Sequence, residues 1–109
     1  MSGLILYRTE DGQAVVSLRA LDGSVWLSQL QMAELFATSV PNVNIHVRNL
    51  LKEGELSAEA VIKESLITAA DGKPYRTKLY RLEMVLAVGY RVRSPRGPQL
   101  RQWATRHLA

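Results

Sequence analysis

SQLQMAELFATSVPNVNIHVRNLLK, residues 28–52, is the stretch on which the fold turns. Ser28 followed three residues later by Gln31 has the capping-box spacing, in which each side chain takes up a backbone N–H of the other residue. The helix this predicts runs to about Phe36. Met32, Leu35 and Phe36 form its apolar face, and Ala33 is small enough to let a second helix cross closely. Ala37-Thr38-Ser39 leaves room only for a tight turn. Ser39 is a good N-cap, and Pro41 is tolerated in the first turn of the helix that follows. Val40, Val43, Val47 and Leu50 recur at helical spacing, and Gly54 ends the run. Two short helices across a three-residue turn carry the helix-turn-helix signature, which generic helical hairpins share.

Upstream, residues 4–9 and 13–19 are β-prone and are joined by Glu10-Asp11-Gly12, whose Asp-Gly pair supplies hairpin turn chemistry. Asp22-Gly23 leads into a third short strand, Val25-Trp26-Leu27, with Trp26 expected as a core anchor. Downstream, residues 56–64 read as a short helix capped by Ser57. Ser65-Leu66-Ile67-Thr68 and Thr77-Lys78-Leu79-Tyr80 then pair around Asp71-Gly72 as a β-hairpin with a basic tip and return arm. A helix is expected over residues 83–90, then a loop over residues 91–98. The last helix aligns Leu100, Trp103, Ala104, His107 and Leu108. The expected fold class is α+β: N-terminal β-strands, a helix-turn-helix, a wing-like β-hairpin and two C-terminal helices, as one domain over residues 1–109.

With 109 residues, 47% of them hydrophobic and 22% charged, the chain can build one core without disulfides or metal. It has no cysteine, which removes thiol nucleophiles and cysteine metal sites. No N-terminal stretch has signal-peptide character, and no apolar run approaches membrane-spanning length. A cytoplasmic protein with no membrane partner is expected. The net charge of +4 is unevenly spread. Residues 1–70 hold five basic and eight acidic groups, whereas residues 71–109 hold nine and two. An arginine-rich segment of this kind is the electrostatic footprint of a phosphate-binding surface.

No phosphate-binding glycine loop, nucleophile elbow or paired-histidine motif is present, so neither enzymatic chemistry nor a cofactor is expected. His46 and His107 read as packing residues. The second helix of the pair is the sharper feature. Opposite Val43 and Val47 lie Pro41, Asn44, Ile45, Arg48, Asn49 and Lys52. Asn44, Arg48 and Asn49 offer donors for bases or phosphates, and Asn42 sits near the end that approaches a groove. Lys73, Arg76 and Lys78 of the hairpin can follow a sugar-phosphate backbone, and the loop arginines Arg91, Arg93 and Arg96 can do the same or enter a minor groove.

The stretches Leu4-Ile5-Leu6-Tyr7-Arg8-Thr9-Glu10-Asp11-Gly12, Val25-Trp26-Leu27, Gln31-Met32-Ala33-Glu34-Leu35-Phe36 and Glu53-Gly54-Glu55-Leu56 resemble the N-terminal region of the RhuM family of virulence-associated bacterial proteins. Thr68-Ala69-Ala70-Asp71-Gly72-Lys73, Val88-Gly89-Tyr90-Arg91-Val92 and Arg96-Gly97 followed by Gln99-Leu100-Arg101-Gln102-Trp103-Ala104-Thr105 extend that resemblance in order. More distantly, the order of elements and the closing arginine-tryptophan helix are similar to the Bro-N type domains of phage antirepressors. The resemblance implies a DNA-binding regulatory domain of prophage or mobile-element origin. It also implies a further C-terminal region beyond Ala109 that could engage a protein partner. The chain departs from the family at Ala37, where a corner glycine is usual, and at Val40, Pro41 and Ile45, where polar or basic residues are usual. Ser39, His46, Arg48 and Asn49 keep the family pattern, whereas Arg93 and Pro95 alter the loop while leaving it basic.

The resulting expectation is a noncatalytic double-stranded DNA-binding domain in transcriptional control, with homodimerisation as a common accompaniment of such readers. The alternative is an antirepressor-like module that binds a repressor through an apolar patch around Ile45 and Val40.

Overall fold

Turn chemistry sets the first half of the molecule, and a computed structural model, which describes residues 3–68 and 70–108, shows how. Met1, Ser2, Ala69 and Ala109 of the expected 1–109 domain lie outside the described residues. At the first turn Asp11 accepts hydrogen bonds from the Thr9 hydroxyl and the Gln13 N–H, at 2.6 and 3.0 Å. This Asx-type turn joins strand β1 (Gly3–Arg8) to β2 (Val15–Leu21), and Asp22-Gly23, both at positive φ, returns the chain into β3 (Ser24–Leu27). The β-hairpin β4 (Ile62–Thr68) and β5 (Pro74–Arg81) joins this meander through β3, giving one antiparallel sheet in the order β1-β2-β3-β5-β4. The expected wing is therefore the far end of the main sheet. It is no separate appendage.

The capping box forms as its spacing requires: the Ser28 hydroxyl accepts the Gln31 N–H and the Gln31 side chain accepts the Ser28 N–H, at 3.2 and 2.8 Å. Helix α1 (Gln29–Phe36) follows, burying Met32, Ala33, Leu35 and Phe36. Ala37 then takes a left-handed conformation, φ 53° and ψ 48°, which lets the Thr38 N–H reach the Ala33 carbonyl. Ser39 caps α2 (Val40–Lys52), with Pro41 in its first turn and Val43, Val47 and Leu50 in the core. Val40, at the start of α2, stays partly exposed.

One short turn of helix, α3 (Ala58–Val61), replaces the helix expected over residues 56–64, because β4 begins at Ile62. The strand wins there through a seven-residue ladder with β5, which a helix reaching Glu64 would break. Helix α4 (Leu82–Arg91) ends on Arg93 at φ 55°, and α5 (Arg96–His107) begins three residues later. The loop expected over residues 91–98 is thus only residues 92–95. Arg91 ends one helix and Arg96 starts the next. Pro98 and Gly97, read as loop residues, sit in the first turn of α5, where a missing or unpaired N–H costs nothing in the helix ladder.

The helices cover one face of the sheet and meet Tyr7, Val16, Leu18, Val25, Leu27 and Tyr80 there. Gly89 makes the close crossing of α4 and α5 over α1 possible: a Cβ there would lie 2.7 Å from Phe36 Cζ and 3.3 Å from the Gly97 Cα. Trp26 is buried as expected but on the opposite face, where Lys63 and Arg81 lie 5.3 and 5.8 Å from its ring. His107, expected along the apolar stripe, is exposed and stacks on the half-buried Trp103.

Candidate nucleic-acid interface

The polar side of α2 is fixed by its apolar side. With 3.6 residues per turn, burying Val43, Val47 and Leu50 leaves Ile45, Arg48, Asn49 and Lys52 outside, where they line a shallow depression. Arg48, Asn49 and Lys52 are exposed, and among the described residues none of them has an ion-pair or side-chain hydrogen-bond partner. The other two asparagines of this helix are engaged. Asn42 donates its amide to the Thr38 hydroxyl at 2.9 Å and so helps close the turn, and Asn44 accepts from the Gln29 amide at 3.2 Å. His46 is half-buried on the flank of the core face.

Gln29 connects this helix to the hairpin. Its amide nitrogen donates both to Asn44 and, at 3.0 Å, to the Tyr80 hydroxyl of β5. Tyr80, Lys78 and Arg76 point to the same face of β5 because strand side chains alternate, so the two cations continue outward from the anchored tyrosine. Lys78 is exposed with no ion pair among the described residues, and Arg76 lies 3.7 Å from Glu64 in a pair that solvent screens on both sides. Lys73 stands at the tip, where its backbone N–H donates to the Asp71 carboxylate and its ammonium is exposed. Gln29 and Tyr80 carried no sequence signal for this role, since they meet across 51 residues.

The three arginines of the α4–α5 corner separate. Arg91 grips Glu53 through two hydrogen bonds of 3.0 and 3.1 Å and reaches Glu55 at 3.2 Å. These contacts hold the Glu53 carboxyl below its ordinary range, chiefly through the hydrogen bond from Arg91. Arg96 is more deeply placed, with 11% of its side chain exposed. It donates to the Asp11 carboxylate at 2.8 Å and to the Leu35 carbonyl at 2.8 Å, satisfying a free carbonyl at the end of α1. Hydrogen bonds from Thr9, from the Gln13 N–H and from Arg96 hold Asp11 at a pKa of about 2. Arg93 alone of the three is exposed without an ion pair among the described residues. The corner arginines therefore do not form one anion-facing set: two of them clamp the C-terminal ends of the helical pair.

Among the described residues, no group of three or more histidines and carboxylates is placed to hold a metal ion, and no helix is long and apolar enough to cross a membrane. The chain matches neither a curated protein nor a solved structure at a significant level. A family model does match: that of the virulence protein RhuM family, over residues 60–109. The matched segment takes in the hairpin turn at Asp71-Gly72, the Gly89 crossing, Arg91, Arg96 and Trp103. Over these 50 residues, just under half of the chain, the sequence is similar to the virulence protein RhuM family, the family its motifs resemble.

Proposed function

We propose that this is a noncatalytic double-stranded DNA-binding domain acting in transcriptional control, of the prophage or mobile-element kind that the RhuM likeness implies. The observation that carries the reading is the sorting of cations. Arg91 and Arg96 at the corner and Lys63 and Arg81 around Trp26 are tied to carboxylates, whereas Arg48 and Lys52 on α2, Lys73 and Lys78 on the hairpin and Arg93 at the corner are exposed and unpaired among the described residues. In this reading α1 and α2 act as a helix-turn-helix with α2 in the major groove. Arg48 has the fork for a guanine edge, Asn49 the amide for adenine, and Ile45 the surface for a thymine methyl. Lys52, Lys73, Arg76 and Lys78 would contact phosphate, with the Gln29 bridge holding hairpin and helix in register.

The antirepressor-like alternative calls for a joined apolar patch at Val40 and Ile45. Five positions apart, they are turned about 140° from each other around α2. Ile45 is flanked instead by Arg48 and Asn49, its neighbours three and four residues on. This arrangement favours the DNA reading.

Fluorescence anisotropy of the chain with labelled duplex across a salt series, with single-stranded competitor, tests it. Saturable binding that prefers duplex and falls steeply with salt is expected. No saturable binding at low salt would sink the reading for this domain.

A further inference from the structure

The two edges of the sheet are built differently. β4 forms one edge and is guarded by charge: Lys63 is paired with Asp22, and Glu64 faces Arg76. β1 forms the other, and its sequence GLILYR has no proline, no lysine and no acid, with a single arginine at its end. Six consecutive residues pair with β2 without a bulge, and among the described residues none of residues 3–8 makes a backbone hydrogen bond outside that ladder. A regular strand about 20 Å long therefore offers a row of unpaired N–H and C=O groups. On the face away from the helices, Leu4 and Leu6 are 69% and 73% exposed.

We infer that β1 is a dimerisation edge, at which a second copy of this chain adds its own β1 antiparallel. The occupant follows from self-complementarity. A two-fold axis perpendicular to the sheet reverses the strand and keeps the helices of both copies on one face. Placed at Ile5, it sets Leu4 opposite Leu6 of the second copy, and Leu6 opposite the other Leu4. Both exposed leucines are then covered by leucine, and the two Arg8 side chains lie at opposite ends of the pair. The cations of the β4–β5 hairpin stand at the far edge of the sheet, away from the seam, and the cations on the two strands nearest it are Arg8 of β1 and Arg19 of β2. The result is a continuous ten-stranded sheet. This inference does not depend on DNA binding.

Sedimentation velocity of the chain from roughly 1 to 200 µM, the range in which weak edge pairing is resolved, gives the primary test. A concentration-dependent dimer is expected, and the Leu4→Lys/Leu6→Lys double variant should stay monomeric with unchanged circular dichroism, since both side chains are exposed. A wild type that is monomeric throughout, or a dimer that survives the double variant, overturns the proposal. The register has its own test, because the chain has no cysteine. A mixture of Leu4→Cys and Leu6→Cys chains should form an oxidative cross-link that neither variant forms alone. Equal cross-linking in the unmixed samples overturns the axis at Ile5.

Discussion

The corner between α4 and α5 and the outer side of α2 are both rich in basic residues, and they use their charge in opposite ways. At the corner, Arg91 and Arg96 reach back to Glu53, Glu55, Asp11 and the Leu35 carbonyl, and their guanidinium forks match planar acceptors at two or three points each. On α2 and the hairpin, Arg48, Lys52, Lys73 and Lys78 extend into solvent with no such partner among the described residues. Density of positive charge along the sequence therefore does not distinguish a cation that holds the fold from one that is available to a ligand. The distinction lies in whether a carboxylate or carbonyl from a remote element is within reach.

That contrast can be broken from either side. The largest effect is expected from Arg48→Ala, Lys52→Ala, Lys73→Ala and Lys78→Ala combined. On the proposed reading, losing four phosphate or base contacts lowers duplex affinity on the order of a thousandfold at 0.1 M salt and flattens the slope of log K against log salt by up to about 3.6. Thermal unfolding should barely move, because exposed substitutions usually fall within about 0.5 kcal/mol each. Anisotropy and calorimetry on the same preparation check both halves.

Arg96→Ala should do the reverse. It removes a charge-assisted contact from a largely buried side chain and leaves the Leu35 carbonyl without its donor, at about 2 kcal/mol of stability measured by urea unfolding. Its salt slope with DNA should match that of the wild type, and a flattened slope would instead return Arg96 to the ligand-facing set.

Ala37→Gly sharpens the comparison within the helical pair itself. An alanine held at φ 53° is strained where a glycine is not, so the substitution should stabilise by about 1 kcal/mol and raise the melting temperature. No change would mean that the turn relaxes around its alanine.

The smallest effect concerns pH. Asp11 holds a pKa of about 2 in the folded chain, against about 3.9 when unfolded. The folded state therefore favours the ionised carboxyl. Its contribution is complete above about pH 4 and is lost as pH falls through about 2. Asp11→Asn should show a shallower acid limb over that window in stability-against-pH measurements, and an unchanged limb would remove Asp11 from the clamp.

Local chemistry was legible in the sequence. The Ser28 and Gln31 capping box, the Ser39 cap with Pro41 behind it, and the Asp-Gly turns at residues 11–12 and 71–72 all act over three or four residues and appear where their spacing puts them. What was not legible is long-range. Ser57 and Glu59 argued for a longer helix, yet pairing with strand residues fourteen to eighteen positions on pulled Ile62, Lys63 and Glu64 into β4. Arg91 and Arg96 looked like loop cations because Ser94-Pro95 and Gly97-Pro98 interrupt the pattern, and nothing near them in sequence names Glu53 or Asp11. At the candidate interface, the exposure of Arg48, Asn49 and Lys52 followed from helical periodicity alone. The engagement of Asn42 and Asn44 did not, since it depends on Thr38 across the turn and on Gln29 in the other helix.

The Asp11–Arg96 clamp also has a consequence in time. Its partners are 85 residues apart, and Tyr7 packs edge-on against Trp103 across a still longer interval. At a synthesis rate of about 5–20 residues per second, the first hairpin waits roughly 4–17 s for the arginine that closes on it. Once made, α1 has its capping box but lacks, until Arg96 arrives, the group that satisfies the Leu35 carbonyl. The molecule is locked by a side chain made long after the hairpin it closes on, and any truncation before α5 leaves the sheet and the helical pair without the side chain that joins them.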